Sequence, residues 1–202
     1  MGEPVQPIRR ALTRQLGWAG RGRCALDPLL GASRASLAWQ HYPARDALSA
    51  DGKWQFYYHA HTLGRTPGEH GHIHLFRRDA LSRLTHQFAL SLNPQGNPSA
   101  WFTTNLWVTG GRWGRAQSVI KSLPHVDLRL TGGPLSGVAL WLTDLIQAYQ
   151  SGLVELIQER DTALGKFELQ QGLTKRRCLV DRRLEVLSTQ AIQWPQDALR
   201  LA

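Results

Sequence analysis

From Trp54 onward, apolar and polar positions alternate. Trp54, Phe56, Tyr58 and Ala60 fall on one side of an extended chain, and Gln55, Tyr57, His59 and His61 on the other. Successive side chains of a strand point to opposite faces, so a period of two in an aromatic-rich run predicts a strand. After a Gly- and Pro-containing loop over 62–69 the alternation resumes. His70, His72, His74 and Phe76 share one face, and Gly71, Ile73 and Leu75 the other. A polar helical turn is expected over Asp79 to Thr85. A third strand is expected over Phe88 to Leu92, a hairpin loop over 93–98, and a fourth strand from Trp101 to Thr109, stopped by Gly110-Gly111. Strands in sequence with short connections favour an antiparallel meander.

The carboxyl half has a different period. Leu135, Val138, Leu142, Leu145 and Tyr149 are spaced three and four apart, the stripe of an amphipathic helix. Ile146, Leu153, Val154 and Ile157 widen and continue it, with Ser151-Gly152 as the expected break. Residues 26–40 read as one short helix, broken at His41-Tyr42-Pro43 because proline disfavours helix at the residue before it. Strands followed by helices give an α+β fold: an antiparallel sheet of about four or more strands packed by C-terminal helices. The expected organisation is a basic N-terminal arm over 1–24, loosely ordered or helical, and a single α+β domain over 25–202. That domain holds a histidine sheet over 53–110 and a helical half over 115–190.

Composition narrows the classes. In 202 residues, 42% are hydrophobic and 19% charged, which is too apolar for a disordered chain. No apolar run approaches the roughly 18 residues of a membrane span. Two cysteines, Cys24 and Cys178, with no Cys-x-x-Cys pair, exclude a thiolate zinc site. They read as two reduced thiols, or one disulfide. No secretory leader is apparent, so the expected location is cytoplasmic. The formal net charge is +9, with basic residues concentrated over 1–24 and 175–183. Aromatics are scarce inside those clusters, so specific nucleic-acid binding is not expected.

The chemistry concentrates in histidine. Five of eight histidines fall between His59 and His74. If the two histidine strands pair with His61 opposite His70, then His59 opposes His72 and Tyr57 opposes His74. Opposed side chains lie roughly 4.5–5.5 Å apart at Cβ, within reach of one ion. Imidazole suits zinc, copper and iron alike. The expected metal ligands are His59, His61, His70 and His72. Glu69, Tyr57 and His74 are the expected acid–base groups, Glu69 serving as ligand, proton acceptor or partner of an imidazole N–H. Arg65, in the joining loop, and Asn105 are the expected substrate-binding residues. Arg77 and Arg78 are further cations near the cleft. His41, His86 and His125 read as isolated.

Two resemblances rest on these residues. His41-Tyr42-Pro43, Tyr58-His59-Ala60-His61, Glu69-His70-Gly71-His72-Ile73-His74 and Thr103-Thr104-Asn105-Leu106-Trp107-Val108-Thr109 resemble, in order, segments of an uncharacterised bacterial family of unknown function. The run His70-Gly71-His72-Ile73-His74-Leu75-Phe76 resembles the motif of the histidine-triad nucleotide hydrolases and transferases, with Gly71 as a departure. That resemblance implies His72 as a nucleophile on an α-phosphate. His59 and His61 with Glu69 are similar in spacing to the ligands of cupins, though later Gly-rich and His elements are lacking.

The expected function is a histidine-ligated transition-metal enzyme, oxidoreductase or oxygenase-like or hydrolytic, acting on a small molecule that an arginine loop would suit to be anionic. The alternatives are a metal-free histidine-triad-like nucleotide hydrolase or transferase, and a non-enzymatic haem- or metal-binding protein. One ion of iron, copper or zinc is expected as cofactor, or haem through an axial histidine. No membrane partner is expected.

Overall fold

The computed structural model describes residues 5–31, 40–61 and 68–197. Helices α1 (Val5–Ala19) and α2 (Leu26–Leu30) precede strands β1 (Tyr42–Leu48), β2 (Trp54–His59), β3 (Gly71–Arg78), β4 (Leu84–Leu92) and β5 (Pro98–Thr104). Helices α3 (Leu106–Thr109), α4 (Ala116–Ser122), α5 (Ser136–Ala148), α6 (Gln150–Gln171) and α7 (Lys175–Cys178) follow, and β6 (Val186–Ala191) returns to the sheet. The six strands lie in chain order, each antiparallel to its neighbours. This is the expected α+β fold, with two strands more than the alternation revealed.

One face of the sheet is apolar because every second residue is. Phe56, Tyr58, Ile73, Leu75, Leu90 and Trp101 are buried there in one cluster with Val138, Leu142 and Leu145 of α5 and Leu153, Leu156 and Ile157 of α6. Burying a side chain of this size is worth roughly 1.5–3 kcal/mol, so this layer dominates the stability. The amino-terminal segment joins it. Helix α1 buries Ile8 and Ala11, and Arg10 and Arg14 meet the buried carboxylate of Asp144 on α5. Gly17, Gly20 and Gly22, which argue against a long helix here, do not prevent one: Gly20 and Gly22 fall just beyond its end, and Gly17 lies inside it.

Four boundaries differ from the sequence reading. Pro43, expected as a helix breaker, lies in a strand that the alternation did not show. It sits in β1, an edge strand, where a residue lacking an N–H is tolerated. Asp79–Arg83 is a hairpin turn held by the Asp79 carboxylate, and β4 begins at Leu84. The fourth strand stops at Thr104, because Asn105 caps α3: its side chain accepts from the backbone N–H of Leu106. The helix break falls at Tyr149, and Gly152 lies inside α6, where Gln190 of β6 packs against it. The part of the helix expected over 26–40 that spans 32–39 lies outside the described residues.

Both cysteines are free, Cys178 buried and Cys24 half-buried. No helix among the described residues is long and apolar enough to cross a membrane.

Candidate metal centre

The opposite face of the sheet is also largely buried, but it is polar. The β2–β3 ladder pairs His59 with His72 and Tyr57 with His74, the register expected from the hairpin. Beyond His74 and His72 the next strand offers only Ala89 and Ser91. These small residues leave a hollow, which Phe102, Thr104 and the α3 residues Trp107 and Val108 wall on the far side. The cavity is about 240 Å³, below the roughly 300–1,000 Å³ of sites for drug-sized ligands.

Three imidazoles meet at it. His59, His61 and His72 each bring a ring nitrogen within 4.8 Å of the other two, an arrangement that could hold a metal ion. The Nε2 atoms of His59 and His72 face each other at 2.6 Å. On its other side, His72 Nδ1 lies 2.5 Å from the Glu69 carboxylate, whose side chain is fully buried. A carboxylate accepts, so Nδ1 carries the proton and the Nε2 lone pair points into the cavity. A carboxylate behind an imidazole is the usual way a ligating tautomer and ring orientation are fixed. Glu69 therefore stands behind a candidate ligand rather than in the cavity. Burial, then the neighbouring rings of His72, His61 and His41, pushes His59 down to about 3, so it is neutral, the ligating form, near neutral pH.

His74 is buried in the cavity floor. Its Nδ1 meets Nε2 of His86 at 3.0 Å, and its Nε2 has no hydrogen-bond partner among the described residues. Burial and the surrounding imidazoles hold it well below the usual histidine range. Tyr57 lies parallel to His41, ring centroids 3.6 Å apart, and also stacks with Phe76 at 5.5 Å. Burial, with Asp46 adding to it, raises its hydroxyl, which stays protonated and able to donate.

Two expected site residues are elsewhere, and a third is not described. His70 is not with the other histidines. Strand β3 starts only at Gly71, and the His70 ring turns to the apolar side, where Nδ1 meets the Tyr58 hydroxyl. Glycine at 71 is what permits this, since a Cβ there would collide with the Tyr58 phenol and the His59 carbonyl. The histidine-triad resemblance needs His70, His72 and His74 on one face, and the fold separates His70 from the pair. Asn105 is fully buried, and its amide donates to the Cys178 carbonyl at 2.8 Å while its oxygen caps α3. Its groups hold the cavity wall and are not offered to a ligand. Arg65 lies outside the described residues. Arg77 and Arg78 line a different groove, at the far end of β3.

Two histidines read as isolated belong to this region. His41 enters through β1, the strand that the proline concealed. Its Nδ1 is 2.9 Å from Asp46, whose other oxygen accepts from Gln55 Nε2 at 2.6 Å, and Gln55 in turn accepts from Arg78. This chain of side chains orients the ring at the mouth of the cavity. His86 reaches the histidine face through a bulge: β3–β4 pairing slips between Leu75↔Phe88 and Phe76↔His86. Without that slip His86 would point to the apolar side.

An α+β protein with a three-histidine pocket on the polar face of its sheet is the class that fold and site define. The chain belongs to the family described as a domain of unknown function, DUF6969, which it matches over residues 6–192. No curated protein and no solved structure is significantly similar to it.

Proposed function

We propose that the protein is a metal-dependent enzyme that binds one transition ion through His59, His61 and His72 and acts on a small molecule in the adjoining cavity. The observation that carries this is the convergence of three ring nitrogens within 4.8 Å, one of them backed by a buried carboxylate. A bound ion of this kind supplies Lewis acidity or redox chemistry. The chain's own residues do the rest. Phe102, Trp107 and Val108 present an apolar wall to the body of a substrate. The protonated Tyr57 hydroxyl can donate to it, and His74 Nε2, which has no partner among the described residues, can hydrogen-bond to it. Three protein ligands leave coordination positions for substrate or water, as catalytic sites do and closed structural sites do not. A cavity of about 240 Å³ suits a bare ion and a small substrate better than a haem macrocycle.

Metal analysis of protein purified without an affinity tag tests the reading. The expected result is close to one equivalent of iron, copper or zinc, lost in His59→Ala and in His72→Ala. Less than about a tenth of an equivalent, with no uptake on reloading, would overturn it. A visible absorption band in the loaded protein would indicate iron or copper, and a silent spectrum zinc.

A further inference from the structure

Most ion pairs on this surface are made by arginines on nearby carboxylates: Arg10 and Arg14 on Asp144, Arg129 on Asp127, Arg183 on Asp181. One groove departs from that habit. A hollow of about 480 Å³ between the β3–β4 hairpin and α4 is lined by Arg77, Arg78, Arg112 and Arg115, with Asp79 as its one carboxylate. Asp79 is already engaged by the Arg83 guanidinium at 2.7 Å and by the backbone N–H groups of Leu81 and Arg83, and receives Arg112 at 3.4 Å. Among the described residues, Arg77 and Arg115 make no side-chain ion pair.

The segment presenting these charges is fixed. The Arg112 N–H donates to the Leu84 carbonyl at 2.8 Å. Glycine at 114 lets the chain lie against β4, since a Cβ there would sit 2.7 Å from a Thr85 methyl. The buried Arg160 holds it from below, donating to the Gly114 carbonyl at 2.6 Å and placing its guanidinium 4.3 Å from the Trp113 ring. Asp161 accepts from the Ala116 N–H at 2.9 Å. Like charges held together by a rigid frame repel one another, and that repulsion is relieved when an anion binds. Guanidinium forks match phosphate oxygens in pairs, and a frame already in place loses little entropy on binding.

We propose that this groove is an anion site for a small phosphate-bearing molecule, separate from the histidine cavity. Its cations are spread along a groove, so a diphosphate fits better than a single phosphate.

Calorimetric titration with inorganic phosphate and with pyrophosphate, at low salt, tests this. Pyrophosphate should bind more tightly than phosphate and weaken as salt rises. Arg77→Gln/Arg115→Gln removes two cations that have no ion pair to lose among the described residues, and should weaken pyrophosphate by about tenfold or more. Arg21→Gln/Arg23→Gln lowers net charge equally at a distant surface and should leave the affinity within about twofold. A chelator should not change it, which separates this site from the metal reading. Equal weakening in both double variants would reduce the effect to net charge and overturn the proposal. So would the absence of heat at millimolar pyrophosphate. A short single-stranded DNA that displaced pyrophosphate and bound more tightly through the same arginines would assign the groove to a nucleic-acid backbone instead, and equally overturn it.

Discussion

Strands β2 and β3 have two buried faces built from interleaved residues, and the two are built on different terms. On one, Phe56, Tyr58, Ile73 and Leu75 meet the apolar sides of α5 and α6. On the other, Tyr57, His72 and His74 are buried and His59 half-buried among one another, with a ring nitrogen of His74 unpartnered among the described residues and the Glu69 carboxylate enclosed. The first face gains free energy from every residue it hides. The second hides polar groups whose removal from water is unfavourable unless each finds a partner. A fold that needed only stability would place leucine and phenylalanine on both. The comparison teaches that the polar face is held in place by the apolar one.

Truncating the apolar face should give the largest loss. Phe56→Ala opens a cavity in the layer between sheet and helices and should lower unfolding stability by about 3–5 kcal/mol. Chemical denaturation of the metal-free protein checks this, with metal content per folded molecule unchanged. An equally large effect on metal content at conditions where the variant is folded would mean that the two faces are not separable.

On the polar face, replacing an imidazole should hurt through the hydrogen bond it removes. His72→Leu takes the donating N–H away from the buried Glu69 carboxylate, which should cost about 3 kcal/mol. Glu69→Leu added to it removes the carboxylate as well, and the double variant should recover most of that loss while still binding no metal. If the single variant were as stable as the parent, Glu69 would not be the ionised partner that the geometry makes it.

The third effect comes from the ligand. A metal ion at about one hundred times its dissociation constant should raise unfolding stability by about 2.7 kcal/mol. Thermal melts with and without chelator measure this, and His59→Ala should erase the difference without altering the Phe56 layer.

The difference between the faces also decided what could be read from sequence. The period of two showed β2 and β3, and supposing His61 opposite His70 led to the His59–His72 and Tyr57–His74 pairs. The strands need only local alternation, whereas the register rested on that supposition. The bulge between Leu75 and Phe76 could not be read, because it is a property of two strands, and so His86 was left out of the site. His41 was missed because a proline in an edge strand looks like a proline in a loop. His70 was included because its spacing fits the alternation, while the strand begins one residue later to let the Tyr58 ring lie over Gly71. Strand β6 is a run of mixed residues, Val186–Ala191, recognisable only from its pairing with β5. Asn105 looked like a ligand-binding residue for the same reason that it is a cap: a polar side chain at the end of an apolar run serves either use.

The smallest effect is set by protons, and its sign separates the two faces once more. His86 is held down to about 3 by burial first, then by the charge of Arg160 and the neighbouring His72. In the unfolded chain it titrates near its ordinary value of 6.5. Between these values the unfolded state binds a proton that the folded state refuses, so stability is full above about 6.5 and is lost as pH falls toward about 3. From about pH 7 to about pH 6 only the start of this window is crossed, and the loss assigned to His86 should be about 0.7 kcal/mol. Denaturant melts of the metal-free protein at the two pH values measure it. His86→Leu should flatten the dependence by about that amount, whereas Phe56→Ala should lower both curves in parallel, since no titrating group is touched. A slope unchanged by His86→Leu would mean that His86 takes up its proton in the folded state as readily as in the unfolded one. Its burial behind His74 would then not keep it neutral.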